Sequence, residues 1–92
     1  MINGSVSPYQ IVAPMTYATA AELFIRGKSL MAGDVETVFD LAGVSTADSS
    51  ALAVMLGWAR AAGNGRLRLI NLPDGVLSLA GLYGVAELLP IV

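Results

Sequence analysis

Apolar and polar positions follow two different periods along this chain, and the changes between them predict its elements. Residues 9–13 form a short apolar run between Pro8 and Pro14, and prolines suit the ends of strands better than their centres. Residues 35–41 are rich in β-branched and aromatic residues, and residues 66–72 begin by alternating basic and apolar positions. Both patterns are typical of strands.

Helical periodicity separates the first two of these strands. From Ala20 onward, apolar residues recur at spacings of three and four, which places them on one face of a helix. Thr19 and Glu22 have the spacing of a capping box, in which each side chain satisfies a backbone N–H group at the start of a helix. Gly33 stands where the helix is expected to end.

Two more helices and a short final one complete the predicted order. They are expected at residues 49–62 and 76–83, and within residues 85–92, where Pro90 stops the last of them. Strands that alternate with helices indicate an α/β fold with a mostly parallel central sheet. We therefore predict a single domain over residues 1–92, with about four strands and three to four covering helices.

The helix predicted at residues 49–62 is apolar over more of its circumference than a surface helix needs. At about 100° per residue its apolar residues form two stripes. One stripe consists of Leu52, Met55, Leu56 and Ala59, and the other of Ala51, Val54 and Trp58. The sheet can cover one stripe, so another helix or a partner must cover the one with Trp58. Tryptophan is enriched at interface hot spots, and both alternatives stay open.

A short polar turn leads from the central strand into this helix. Asp48, Ser49 and Ser50 fall where backbone N–H groups have no partner within the helix. Short polar side chains cap such groups, and a helix N-terminus also accommodates an anion such as phosphate. The turn is therefore expected to cap the helix, and one of its serines is a candidate recognition or regulatory site.

Composition removes several classes of chemistry. The chain has no Cys and no His, which excludes thiol nucleophiles, disulfides, histidine general bases and the usual zinc sites. Its glycines form no phosphate-binding loop, and the carboxylates between residues 34 and 48 do not have the spacing of a calcium loop. The single lysine, Lys28, is expected far from Ser49. We therefore expect no enzymatic activity, no metal and no cofactor.

The charge and hydropathy of the chain indicate which kind of partner and which cellular compartment to expect. The net charge is −2, and the five basic residues are scattered, so nucleic acid is not an expected partner. Apolar residues make up 55% of the chain, yet no segment reaches the about 20 clean apolar residues of a membrane span. The first residues lack the features of a signal peptide. We expect a cytoplasmic protein whose excess apolar surface meets a partner.

Two adjacent segments resemble a known family. Residues 38–44 (VFDLAGV) and 47–56 (ADSSALAVML) resemble the signature of STAS domains. These domains include bacterial anti-sigma-factor antagonists and the small, MlaB-like STAS subunit of phospholipid ABC transporters. The flanking segments that favour the transporter branch are residues 13–20, 69–73 and 79–85. The resemblance covers roughly residues 9–90.

The resemblance implies a STAS-type fold and a non-catalytic accessory subunit. The partner that the resemblance implies is the ATP-binding subunit of a phospholipid (Mla-type) ABC transporter. This protein would lie at the inner face of the inner membrane only through that partner. The functional hydroxyl of the family falls on Ser49, the phosphorylated position of the sigma-factor antagonists, so a phospho-regulated antagonist is the alternative. The candidate partner-binding residues are Asp48, Ser49, Ser50, Val54 and Trp58.

The chain departs from the family pattern at two points. Ala51 stands where a glycine often follows the two serines. The N-terminal strand pair is shortened to little more than residues 5–13, so an edge strand is expected to be missing or remodelled. An exposed edge could then pair with a second copy to form a homodimer. Phosphate on Ser49 would add about −1.5 to −2 charge beside Asp48, which argues weakly against the antagonist.

Overall fold

Strands and helices alternate along the residues that the computed structural model describes, which are 1–32, 36–63 and 65–92. The strands are β1 (Ile2–Asn3), β2 (Tyr9–Ile11), β3 (Thr37–Asp40) and β4 (Leu67–Ile70). The helices are α1 (Ala20–Leu30), α2 (Ser49–Ala62) and α3 (Asp74–Leu82), and a 3₁₀ turn follows at Ala86–Leu88. The predicted α/β fold is confirmed.

The four strands form one mixed sheet in the order β1-β2-β3-β4. β1 is antiparallel to β2, whereas β2, β3 and β4 are parallel, with Phe39 paired to Tyr9 on one side and to Leu69 on the other. Successive right-handed crossovers that advance in one direction place their helices on one face of the sheet. The mostly parallel sheet therefore carries α1 and α2 together on the same side.

Side chains alternate between a covered and an open face of this sheet. Phe39, Leu67 and Leu69 are buried under the helices. Arg68, which lies between two of them in sequence, is exposed and pairs with Glu36 at 3.6 Å. The period of two in these strands therefore sorts apolar side chains toward the core and charged ones toward solvent.

The indole of Trp58 joins the helices to the sheet. Its ring centroid lies 4.5 Å from that of Phe39 in β3, and its Nε1 donates a hydrogen bond to the backbone oxygen of Phe24 in α1 at 3.2 Å. Gly27 faces the same ring, and a Cβ atom there would overlap the Trp58 Nε1. Helix α1 can approach this closely only because Gly27 has no side chain.

The start of α1 differs from the expected capping box. The helix begins at Ala20, as predicted, but the Thr19 side chain makes no cap hydrogen bond. Its hydroxyl instead donates to the Pro14 oxygen at 2.6 Å and accepts from the Thr16 backbone N–H at 3.1 Å. The loop before α1 folds back and engages this hydroxyl, so the capping-box prediction is wrong. The expected stop at Gly33 lies outside the described residues.

Of the two outcomes expected for the edge strand, missing or remodelled, the structure shows the second, because β1 is present with only two residues. Ile2 of β1 pairs with Ile11 of β2, and the Val12 backbone N–H donates to the Met1 oxygen at 2.6 Å. Ile2 is buried, so even a strand of two residues is anchored by its apolar side chain. At the opposite edge, the Leu69 N–H donates to the Pro90 oxygen at 2.9 Å. The homodimer through a sheet edge stays a prediction, and β1 is the edge strand at that side of the sheet.

We predict that Gly27→Ala destabilises the fold, because its Cβ atom would overlap the Trp58 ring. Overpacking of this kind costs about 1–3 kcal/mol, more than the about 1 kcal/mol gained in helix propensity. The matched control is Gly81→Ala in α3, where no atom lies within 4 Å of the added Cβ. In urea unfolding, Gly27→Ala should lower the free energy of unfolding and Gly81→Ala should not. Equal stability of the two variants would contradict the close packing of α1 on Trp58.

Candidate functional site

Asp48 holds the start of α2. Its Oδ1 accepts a hydrogen bond from the Ser50 backbone N–H at 2.8 Å, which caps the helix. Its Oδ2 accepts from the Tyr17 backbone N–H at 3.2 Å, across 31 residues of sequence. The predicted cap is confirmed, and Asp48 is the residue that forms it. The same carboxylate also fixes the loop that precedes α1.

Backbone hydrogen bonds join the loop before α1 to the loop before α2, next to Asp48. The Met15 N–H donates to the Thr46 oxygen at 2.8 Å, and the Asp48 N–H donates to the Met15 oxygen at 3.2 Å. Met15 is fully buried, so its side chain anchors the contact. The β2–α1 and β3–α2 loops are therefore joined beyond the carboxyl ends of the parallel strands, which is where α/β sheets commonly place their functional sites.

The hydrogen bonds at Asp48 also favour its ionised form. The Ser50 backbone N–H is the largest cause that lowers the pKa of this carboxyl below its ordinary value of 3.8. Partial desolvation acts in the opposite direction, while the Tyr17 backbone N–H and the Ser50 side chain lower the pKa further. Asp48 thus carries its negative charge through the whole neutral range.

Ser49 is the exposed residue of the polar turn. It is the first residue of α2 and lies open to solvent, whereas Asp48 and Ser50 are partly buried. Tyr17, whose backbone binds Asp48, is 83% exposed beside the turn. Sequence reasoning did not single out Tyr17 as a site residue, because its proximity to Asp48 depends on a contact that no local pattern reveals.

Two of the predicted site residues lie in the core rather than on the surface. Trp58 has no exposed surface and Val54 is only 4% exposed. The open question about the second apolar stripe of α2 is answered by α1, which packs against Trp58 through Phe24 and Gly27. The expectation that Trp58 extends a docking surface is therefore wrong, because a neighbouring helix covers it.

Two concave surfaces flank the exposed start of α2. The α1–α2 groove, of about 290 Å³, is lined by Ala20, Ala21, Phe24, Ala53, Val54 and Gly57. The loop–α3 cleft, of about 360 Å³, lies between the β3–α2 loop and the start of α3, and is lined by Val44, Ser45, Thr46, Ala47, Pro73, Gly75, Val76 and Leu79. Val54 therefore contributes to the floor of the groove. Each lining includes one residue close to Ser49 in sequence, Ala53 in the groove and Ala47 in the cleft.

The carboxylates near the site serve the fold. Asp40 accepts from the Ala42 backbone N–H at 2.9 Å and from the Asn71 side chain at 3.2 Å. Asp34, the first of the carboxylates considered for a metal, lies outside the described residues. Within the described ranges, no group of three or more acidic, His or Cys side chains has the arrangement of a metal site.

The fold and the site together define a class of protein. A mixed four-stranded sheet covered by helices, with an exposed hydroxyl at the start of the helix after β3, is the arrangement of a STAS-type domain. The family model described as "Mlab, STAS domain" matches residues 10–90, and the chain belongs to this family. Membership supports an accessory or regulatory role.

Two further findings complete the comparison. A search among curated proteins finds no match to this chain. Among the described helices, none has the length and apolar character needed to cross a membrane.

We predict that Trp58→Ala costs about 3–5 kcal/mol of folding free energy, the usual range for truncating a buried aromatic side chain. The change removes the contact with Phe39 and the hydrogen bond to Phe24 together. Tyr17→Ala is the control, because the Tyr17 side chain is 83% exposed. In thermal melting, Trp58→Ala should unfold at a clearly lower temperature than Tyr17→Ala. A Trp58→Ala chain as stable as the control would show that α1 does not depend on this ring.

We also predict a pH dependence that comes from Asp48. Because its folded-state pKa lies below 3.8, the ionised carboxylate favours folding above that value, and the contribution is lost as the pH falls through the lowered pKa. Asp48→Asn keeps a capping oxygen but has no charge. The wild-type advantage in unfolding free energy should be constant above about pH 5 and should shrink below about pH 4. Urea unfolding of both chains measures it, and an advantage that persists unchanged at about pH 3 would refute the ionic contribution.

Proposed function

We propose that this protein is a non-catalytic accessory subunit that binds the ATP-binding subunit of a phospholipid (Mla-type) ABC transporter. In this role it supports the assembly or activity of the transporter from the cytoplasmic side of the membrane. Family membership supports an accessory or regulatory role, and the exposed face of α2 offers the surface for it. The partner, not this chain, would supply nucleotide chemistry and membrane attachment.

The observation that carries the proposal is the presentation of Ser49. This hydroxyl is exposed at the start of a capped helix, while Asp48 fixes the turn from two directions. A recognition residue benefits from such rigidity, because little conformational entropy is lost when a partner binds it. The groove and the cleft, whose linings include Ala53 and Ala47, provide concave surface for the rest of the contact.

The alternative, a phosphorylated antagonist, is less well supported by the distribution of charge. Arg60 lies eleven residues after Ser49 in α2, which corresponds to about 16 Å along the helix. The remaining basic residues lie on the second half of α1 and around the start of β4: Arg26, Lys28, Arg66 and Arg68. Phosphate on Ser49 would therefore meet the carboxylate of Asp48 rather than a neighbouring cation.

The partner can be identified directly. The chain, tagged at its native locus and expressed at its natural level, is purified and its stoichiometric companions are determined by mass spectrometry. The proposal expects an ATP-binding subunit of an ABC transporter among them. Recovery of an anti-sigma kinase instead, with phosphate on Ser49, would support the alternative function.

We predict that Ser49→Arg weakens binding of the captured ATPase subunit about tenfold or more, or about 1.4 kcal/mol. A long cation at this position occupies the proposed contact without disturbing the cap formed by Asp48. Ser29→Arg is the matched control, because Ser29 is an exposed serine near the far end of α1. Calorimetry with the purified partner measures both variants. Unchanged affinity of Ser49→Arg, in a chain that melts normally, would remove Ser49 from the interface.

A further inference from the structure

Asn3 is followed directly by Gly4, at the point where the edge strand ends. Asn3 is the last residue of β1, which forms the outer edge of the sheet, and both residues are exposed. Gly4 has a φ of +114°, a backbone conformation that residues with a Cβ atom rarely adopt. The edge strand therefore leads straight into an exposed turn, where water has access to the Asn3 side chain.

The backbone nitrogen of Gly4 is available for reaction with that side chain. Among the described residues, the Gly4 N–H group has no hydrogen-bond partner. Gly4 also has no side chain that could shield its nitrogen. Asn3 pairs with Gln10 of β2, but the buried side chain that anchors the strand is Ile2, one residue earlier. The end of so short a strand opens locally at little cost.

We propose that Asn3 is a site of spontaneous deamidation and that its isoaspartate product loosens the edge strand. The Gly4 nitrogen gives its proton to hydroxide and attacks the side-chain carbonyl carbon of Asn3. A C–N bond forms, the bond to the side-chain nitrogen breaks, and that nitrogen takes a proton from water and leaves as ammonia. Water then opens the five-membered succinimide. Attack at the side-chain carbonyl gives aspartate, and attack at the main-chain carbonyl gives isoaspartate.

Isoaspartate changes the path of the chain where β1 pairs with β2. The main chain then runs through the Cβ and Cγ atoms of this residue and is one atom longer, while the former backbone carbonyl becomes a free carboxylate. The pairing of Asn3 with Gln10 is lost, because a strand ladder requires a fixed spacing of backbone groups. The modified chain therefore presents an unpaired edge of β2 at Gln10.

Asn71 lacks the features that make Asn3 reactive. Its Nδ2 donates a hydrogen bond to the Asp40 Oδ1 at 3.2 Å, which holds the amide in place. The next residue is Leu72, whose side chain is buried and shields the backbone nitrogen. Asn64 is also followed by a glycine, and it lies outside the described residues. The structure thus separates Asn3 from Asn71 and makes Asn71 the internal control.

Peptide mapping by mass spectrometry tests the proposal on the folded chain, incubated at mildly alkaline pH. Asn3 is expected to convert to aspartate and isoaspartate, with Asn71 unchanged. In an Asn64→Gln chain, which lacks the second Asn-Gly pair, methyl transfer by an isoaspartate-specific carboxyl methyltransferase then reports on Asn3. The urea-unfolded chain, incubated in parallel, gives the conversion without the fold. An Asn3 that stays intact in the folded chain while it converts in the unfolded chain would overturn the proposal.

Two variants test the chemistry of the step. Asn3→Gln should lose the conversion, because attack on the longer side chain forms a less favoured six-membered ring. Gly4→Ala should lose it as well, because its Cβ atom shields the nitrogen. Conversion at an unchanged rate in Gly4→Ala would overturn the assignment of the Gly4 nitrogen as the attacking atom.

Hydrogen exchange tests the loosening of the edge. The Val12 N–H donates to the Met1 oxygen at 2.6 Å, and the Gln10 N–H, two residues earlier, points toward β1 in the same way. Both amides should exchange faster in the isolated isoaspartate form than in Asn3→Asp, which has the same added charge on a normal main chain. Equal protection in the two chains would overturn the loosening. None of these results bears on the proposed function, which depends on capture of an ATPase subunit.

Discussion

The packing of Trp58 between α1 and the sheet is the interaction on which the rest of the structure depends. The indole contacts Phe39 in the central strand and hydrogen-bonds to the backbone of Phe24, so it fixes α1 to both layers at once. Gly27 makes this contact sterically feasible. In a chain of 92 residues, where a single core supplies most of the stability, the position of α1 follows largely from this one ring.

The position of α1 in turn determines the geometry of the candidate site. The loop that enters α1 carries Tyr17, whose backbone N–H donates to the carboxylate that caps α2. Asp48 therefore couples two helix starts through one side chain, and Ser49 is presented on a turn that is held from both sides. In the proposed function the site acts by position, because its residues offer a rigid contact surface.

Charged residues are unevenly placed around the candidate site. Asp48 lies at the carboxyl edge of the strands, while Lys28 and Arg60 lie in the last turns of α1 and α2, where they also complement the helix dipole. This distribution would disfavour phosphate at Ser49, next to the carboxylate of Asp48.

Local sequence patterns determined most of the elements and the nature of the site. The helix at residues 49–62 was predicted with its observed bounds, and the polar turn at Asp48 was predicted as its cap, because periodicity and capping depend on neighbours within a few residues. The family signature around residues 38–56 identified the STAS fold, which the family model over residues 10–90 confirms.

Contacts between distant segments decided the rest. Whether Trp58 lay in the core or at an interface depended on a hydrogen bond to a residue 34 positions away, and the role of Tyr17 depended on a contact across 31 positions. The capping box at Thr19 does not form, because the Thr19 hydroxyl donates to the Pro14 oxygen in the preceding loop. The short strand at Ile2 forms because Ile11 lies beside it in the sheet. No local pattern encodes these pairings, since they exist only when the sheet has brought the segments together.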